Sequence, residues 1–283
     1  MAYVYQNPNL LEPEYVQEDS SMDWRSGSKI YTLLKYMTQR HLANRYRGSF
    51  LGFFWSLLNP IMMMFVYSFA FKFVIRAEVP GIPFSCFFLS AFLAWNCFNT
   101  GAANAGAAVA DGGFLIRKAY FPRYALPLSA VLSNLINYLI AMPLLLIFNA
   151  IMGIYPGVNL LLLPLAIAYL MCLTIGVGFL IAAIAPFFRD LLELIQVLFT
   201  AWFFLTPVIY PMSLLSSHMT PLMMKLYMLN PMVGCIRLIQ SIFLGMPFPR
   251  TELLYSLPGT CILLMSGLLL FRRVSPRFSN VVQ

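Results

Sequence analysis

The sequence predicts an all-α polytopic membrane protein with six transmembrane helices, an amphipathic interface helix ahead of them and short re-entrant helices between spans five and six. Two observations carry this fold class. Hydrophobic residues make up 60% of the 283-residue chain and charged residues only 10%, a balance outside the range of water-soluble domains. From Ser49 onward the charges are also separated by apolar runs long enough to cross a hydrocarbon core, which takes ~20 residues.

Three segments follow. Residues 1–27 carry Glu12, Glu14, Glu18, Asp19 and Asp23 among Asn, Pro and Ser, without the basic start and apolar core of a signal peptide; a disordered cytoplasmic tail is expected. Residues 28–47 place Ile30, Leu33, Leu34, Met37 and Leu42 near one helical face, with Lys29, Lys35, Arg40 and Arg45 elsewhere and Ser28 as N-cap. That pattern is a basic amphipathic helix on a membrane surface, serving as an anchor alone or as a moving, partner-contacting element. Residues 48–283 form the membrane domain.

The spans come from the gaps between charges. The first lies near 50–72 and the second near 84–108. Between Arg123 and Arg189 there is room for two more, hinged at Gly153-Ile154-Tyr155-Pro156-Gly157. The fifth follows Glu193 and stops at Thr206-Pro207-Val208-Ile209-Tyr210-Pro211, where two prolines remove backbone donors. Residues 212–250, cut by Pro221, Pro231, Pro247 and Pro249, suit re-entrant or interfacial helices, and a last span covers 253–271. Two full crossings within 212–250 would make eight spans, but ~40 residues would leave no loop. With six, both termini lie inside, and the inner segments hold Arg25, Lys29, Lys35, Arg40, Arg45, Arg47, Arg117, Lys118, Arg123, Arg189, Arg272, Arg273 and Arg277. Only Lys72, Arg76, Lys225, Arg237 and Arg250 are left outside.

Several function classes are excluded. The net charge of +8 comes from cations dispersed between apolar runs, not from one surface that could track nucleic acid. Cys86, Cys97, Cys172, Cys235 and Cys261 lack metal-ligand spacing and read as small core residues. The span interiors hold no ionisable pair, against ion-coupled transport and intramembrane hydrolysis, and the two histidines, His41 and His218, fall on opposite sides. The GxxxxGK[ST] phosphate loop is absent, so nucleotide-powered transport would need another polypeptide.

Four features have two readings each. The loop from Asp111 to Arg123 mixes aromatics with cations and suits partner docking or the lipid interface. Gly101 with Ala105 and Ala102 with Gly106 permit close helix packing, with a substrate site the weaker reading. Asp190 and Glu193 have capping-box spacing, which precedes any gating role. Phe54, Trp55, Phe65, Trp95, Phe98, Trp202, Phe203 and Tyr210 could stack on sugar faces, though core packing and interface belts explain most such rings.

A series of ordered motifs then resembles a known family. They are Asn44-Arg45-Tyr46-Arg47-Gly48-Ser49-Phe50-Leu51-Gly52 with Trp55-Ser56-Leu57-Leu58-Asn59-Pro60, and Leu115 to Arg123 with Leu126-Pro127-Leu128-Ser129. Phe187-Phe188-Arg189-Asp190, the Thr206 to Pro211 motif, Leu229-Asn230-Pro231 and Phe271 to Phe278 complete the series. From about Lys29 onward the chain resembles permease subunits of polysaccharide-exporting ABC transporters, those of O-antigen, capsule and teichoic acid.

The resemblance implies a homodimer of six-span subunits in the bacterial inner membrane, with two separate subunits that bind ATP and Mg. No cofactor or metal is expected in this chain, no chemistry of its own, and the substrate is a lipid-linked polysaccharide. It also implies a coupling helix formed by Phe114, Leu115, Arg117, Lys118, Tyr120, Phe121 and Arg123. Arg40, Arg45, Tyr46 and Arg47 belong to a cytoplasmic gate or interface helix, and residues 212–245 to short outer helices. Phe54, Trp55, Trp95, Phe98, Trp202, Phe203 and Tyr210 become candidates for the glycan path. The competing readings are an ABC permease for drugs or small lipophiles and a membrane scaffold for a glycan synthase.

Overall fold

The structure is a computed structural model and describes residues 27–50, 52–70, 81–118, 121–188, 190–216 and 219–278. The chain order is α1 (Gly27–Tyr46), α2 (Trp55–Phe69), α3 (Phe84–Asp111), α4 (Gly113–Lys118), α5 (Ala125–Ile151), α6 (Leu163–Ile184), α7 (Leu191–Phe204), α8 (Met212–Ser216), α9 (Pro221–Met228), α10 (Pro231–Leu244) and α11 (Arg250–Val274). Three helical stretches are long and apolar enough to cross a membrane, Ala125–Ile151, Val158–Ile184 and Arg250–Arg277. A fourth is added if the bent pair α9 and α10 counts as one. Helix α3 has the length, 28 residues, but Asn96, Asn99 and Asn104 dilute its apolarity. The helices at the expected first and fifth spans are shorter than a full crossing, with 15 residues in α2 and 14 in α7.

The centre is a stack of α3, α6 and α11, with α6 packed along both neighbours. Small residues set its spacing. A methyl on Gly176 would stand 2.7 Å from the Leu264 nitrogen, and one on Gly267 would collide with the Gly176 carbonyl. On the other side of α6, a methyl on Gly178 would sit 2.8 Å from Ala105 Cβ and 3.4 Å from Ala102 Cα, and one on Gly101 would sit 2.8 Å from Thr174 Cγ2. The small run of α3 therefore serves close helix packing, where dispersion and close backbone approach replace the hydrophobic drive that lipid cannot supply.

Around this stack α5 covers α3, and α1 lies against α5. Ile30, Leu33, Leu34, Met37, Thr38, His41 and Leu42 are the less exposed positions of α1, spaced as one helical face, while Lys29, Tyr31, Lys35, Tyr36 and Arg40 are exposed. Helix α1 starts at Gly27, so Ser28 lies inside the first turn and not at the cap; its carbonyl accepts from the Thr32 hydroxyl.

The 84° break between α9 and α10 is local chemistry. Thr220 caps α9 by accepting from the Met223 N–H and Asn230 caps α10 by accepting from Met232, each followed by proline at the first helical position. Gly245, with φ of 64°, ends α10 in the left-handed region. Asn230 also takes the Trp202 indole N–H at 2.8 Å and donates to the Leu205 carbonyl at 2.9 Å, tying the end of α7 to the start of α10. The Thr206 to Pro211 and Leu229-Asn230-Pro231 motifs are thus two halves of one joint.

Two further sequence expectations are corrected. Asp190 makes no side-chain cap bond to α7, because its backbone is already helical (φ −73°, ψ −10°) and the carboxylate does not turn back. Glu193 remains in the first turn, where it complements the helix dipole. Cys86, Cys97 and Cys235 are buried as expected, but Cys261 is exposed on α11. Arg189 and His218 lie outside the described residues, as does the acidic tail up to Ser26.

Because α6 and α11 touch through backbone at Gly176 and Gly267, Gly267→Ala should lower the stability of the purified protein by about 1–3 kcal/mol, the usual cost of overpacking. Gly27→Ala, in open space, should be neutral. Denaturant unfolding in detergent, followed by circular dichroism, measures both.

Candidate functional site

Two cavities of about 450 Å³ and 560 Å³ open between α1, α2, α3 and α5, the first beside the middle of α3 and α5 and the second reaching the end of the bundle where Arg123 donates to the Ser275 carbonyl. They meet at Arg45 and Thr100, which line both. Asn59, Asn96, Asn134, Asn137 and Tyr138 face the first; Arg40, His41, Asn44, Asn104, Asp111 and Ser133 face the second.

Asn134 organises the junction. Its Oδ1 accepts from Arg45 Nη1 at 2.8 Å and lies 2.9 Å from the Thr100 hydroxyl. Thr100 has one proton to share between that oxygen and the Asn96 carbonyl at 2.6 Å. The Asn134 amide donates to the Ala130 carbonyl one turn back at 2.9 Å. An exposed cation on α1 is therefore fastened to a buried amide on α5 and, through it, to α3. Tyr138 is buried and lines the first cavity, and its hydroxyl has no hydrogen-bond partner among the described residues. In the second cavity burial lowers the His41 pKa, Arg40 lowers it further and Asp111 partly offsets both. A neutral His41 at pH 7 follows, so the cavity's charge there comes from Arg40, Arg45 and Asp111.

Such a lining is rich in amides, hydroxyls and ring edges, and lacks the paired carboxylates or nucleophile and base of a catalytic centre. No group of three or more His, Cys, Asp or Glu that could hold a metal occurs among the described residues. It can accept a neutral polyhydroxylated chain through many weak hydrogen bonds, with Arg45 as the one charge at the junction.

The sequence-derived candidates distribute as follows. Arg40 and Arg45 line the cavities and Arg47 is exposed beyond them; the Tyr46 side chain lies outside the described residues. Trp55 lines the first cavity and Phe54 beside it is 69% exposed. Trp95, Phe98 and Phe203, at 4%, 0% and 6% exposure, are core rings packed on one another and on Trp202. A ring buried on both faces has none left for a sugar. Trp202 is committed to Asn230, and Tyr210 donates to the Phe204 carbonyl at 2.7 Å and meets Tyr227 at 3.2 Å.

Of the loop candidates, Phe114, Leu115, Arg117 and Lys118 belong to α4, a helix of six residues. The side chains of Phe114, Arg117 and Lys118, and all of Tyr120, lie outside the described residues. Leu115 and Phe121 pack on the protein's own core with Ile116, Leu126 and Phe278. Arg123 ties the loop to the end of α11.

Asn96, Thr100, Asn104, Asn134 and Asn137 were missed by attention to charges. Their signal is present: Asn96, Thr100 and Asn104 repeat every four residues along α3, and Asn134 and Asn137 sit one turn apart on α5. A neutral polar stripe inside an apolar helix marks a face that does not touch lipid.

Comparison with known proteins follows the same region of the chain. An O-antigen export system permease protein, RfbA, of Myxococcus xanthus is 36% identical over 233 residues, covering 82% of this chain and 88% of that protein. A protein of the same name from Klebsiella pneumoniae is 26% identical over 256 residues, covering 89% and 96%. The polysialic acid transport protein KpsM of Escherichia coli is 23% identical over 252 residues, covering 88% and 96%. The profile of the ABC-2 type transporter membrane family matches residues 32–244, from the second turn of α1 to the end of α10. The chain therefore belongs to the ABC-2 type transporter family.

Proposed function

We propose that this chain is the permease of an ATP-driven exporter that moves a lipid-linked polysaccharide, of O-antigen, capsule or teichoic-acid type, across the bacterial inner membrane. The observation that carries the reading is the polar cavity between α1, α3 and α5, built in a family member whose relatives are named for O-antigen and polysialic acid export. Its many amide and hydroxyl groups suit a sugar chain that must bind weakly enough to keep moving.

The working unit is a homodimer with two ATP-binding subunits, which hold the ATP and Mg. The α2 and α7 helices support pairing: Met62, Phe65, Val66 and Phe69 on one and Val197, Leu198 and Phe204 on the other are exposed. In the six-span topology α2, α3, α5, α6, α7 and α11 cross, α9 and α10 form a re-entrant outer pair, and both termini face the cytoplasm. The α4 loop from Phe114 to Arg123 is the coupling element, held from inside by Leu115, Phe121 and the Arg123 bond.

The Arg45–Asn134 bond acts as a latch on the gate helix α1. It contributes about 1.5 kcal/mol, the low end for a bond to a charged group because Arg45 is exposed. ATP binding can offset that much through differential contacts of the partner with the two states.

Deleting the gene should trap lipid-linked glycan on the cytoplasmic face, shielded from a glycan-binding protein added to intact spheroplasts. Normal surface glycan with no internal pool overturns the reading in favour of a small-lipophile permease. Arg45→Ala and Asn134→Ala should each release the gate and raise ATP hydrolysis in the absence of glycan about tenfold at equal membrane levels, the rate equivalent of that bond energy. Because they remove one shared bond, the double variant should be no faster than the faster single. Replacing Phe114 and Arg117 with Ala should abolish co-purification with the ATP-binding subunit, read by pull-down, while leaving the chain folded in the membrane.

A further inference from the structure

A third cavity, of about 890 Å³, lies away from the polar path, on the outer surface where the start of α5, the end of α11 and α6 come together. Its walls are apolar, from Leu128, Ile175, Leu264 and Leu268, over a floor of Phe179 and Phe271. Both floor rings are buried, and their centroids stand 4.9 Å apart. One end differs in chemistry: Arg123 and Arg272 stand at it, beside Ser275. No carboxylate lines the groove, and among the described residues neither arginine has an ion-pair partner.

We infer that this groove is a binding site for an anionic phospholipid, with the headgroup phosphate between Arg123 and Arg272 and an acyl chain along α6 and α11. Three observations support the occupant. From Arg272 to Leu264 the helix rises ~12 Å, close to the ~15 Å hydrocarbon depth of one leaflet, so the basic end sits at headgroup level when the apolar walls lie in lipid. Arg123 is pre-positioned, because one of its N–H groups is held by the Ser275 carbonyl and the planar guanidinium keeps its other donors for a phosphate. Finally, charge is asymmetric along the groove, with cations at one end and aliphatic or aromatic groups elsewhere, which matches an amphiphile and not a protein segment. Basic pockets between helices at the membrane surface are how headgroups of acidic lipids are recognised. This site is separate from the polar cavity: no residue lines both. Its occupant would brace the joint between the α4 to α5 loop and the end of α11.

The test uses the full-length chain, purified and delipidated in detergent, titrated with dioleoyl phosphatidylglycerol or dioleoyl phosphatidylcholine and read by native mass spectrometry. Phosphatidylglycerol should bind more tightly. The double change Arg123→Gln with Arg272→Gln should weaken it about thirtyfold, since each cation near the surface is worth ~1 kcal/mol, and should leave phosphatidylcholine unchanged. Arg123→Lys with Arg272→Lys should restore most of the preference, which separates charge from a folding defect. Leu268→Trp, on the exposed wall, should weaken both lipids by blocking the chain. Equal binding of the two lipids, or an unchanged double Gln variant, overturns the site. Competition by inorganic phosphate at the lipid's own affinity overturns the lipid assignment in favour of a free anion. Displacement of the lipid by the ATP-binding subunit overturns it in favour of a protein contact.

Discussion

The backbone contact between α6 and α11 at Gly176 and Gly267, extended on the other side by Gly178 against Ala102 and Ala105, is the constraint on which the rest of the structure hangs. In lipid there is no water to expel from between two apolar helices, so association rests on close fit and on satisfied polar groups. Glycine and alanine bring the axes of α3, α6 and α11 close enough for that fit. Other polar groups then lock the outer helices on: Tyr169 of α6 donates to the Pro231 carbonyl at 2.9 Å and lies 2.8 Å from Ser256 of α11, drawing α10 into the stack. Helix α10 is accordingly among the most buried elements despite having only 14 residues.

With the central stack fixed, the molecule separates two environments. The α1, α3 and α5 side carries amides and hydroxyls around a cavity, while α2 and α7 present exposed apolar side chains. The aromatic cluster of Trp95, Phe98, Phe199, Trp202 and Phe203 lies between the stack and α7 and fills space there. Its rings are structural, and Asn230 extends the cluster's order into the α9 and α10 joint through the Trp202 indole.

The terminal motif has a comparable role at the other end. Phe271 packs on Phe179, Phe278 on Phe271 and Phe187 on Phe278, so the residues after α11 fold back over the α6 to α7 connection. Arg123 reaches the same place from the α4 loop. Segments distant in sequence therefore converge at the α4 loop, which packs with the ends of α5, α6 and α11.

The sequence by itself determined the class, the order of the helices, the hinge at Gly153, the close-packing role of the small run in α3 and the family resemblance carried by the ordered motifs. These follow from local chemistry: apolar run length, proline and glycine at breaks, and small residues in step with the helical repeat. It also pointed to Arg45 in the motif that opens the first span, without revealing its partner. Only the tertiary structure decided which aromatics are core and which line a cavity, because that depends on what stands opposite each ring, and nothing local to Trp95 or Trp55 records it. The same holds for Asn134, whose value lies in bringing Arg45 from 89 residues away to Thr100, and for Phe121 and Arg123, which the loop turns inward. The conformation of Asp190 likewise came from how α7 joins α6, against the capping spacing its sequence displays. Where a residue's role is set by its own segment the sequence speaks for it; where it is set by a partner across the bundle, the fold must first bring that partner into place.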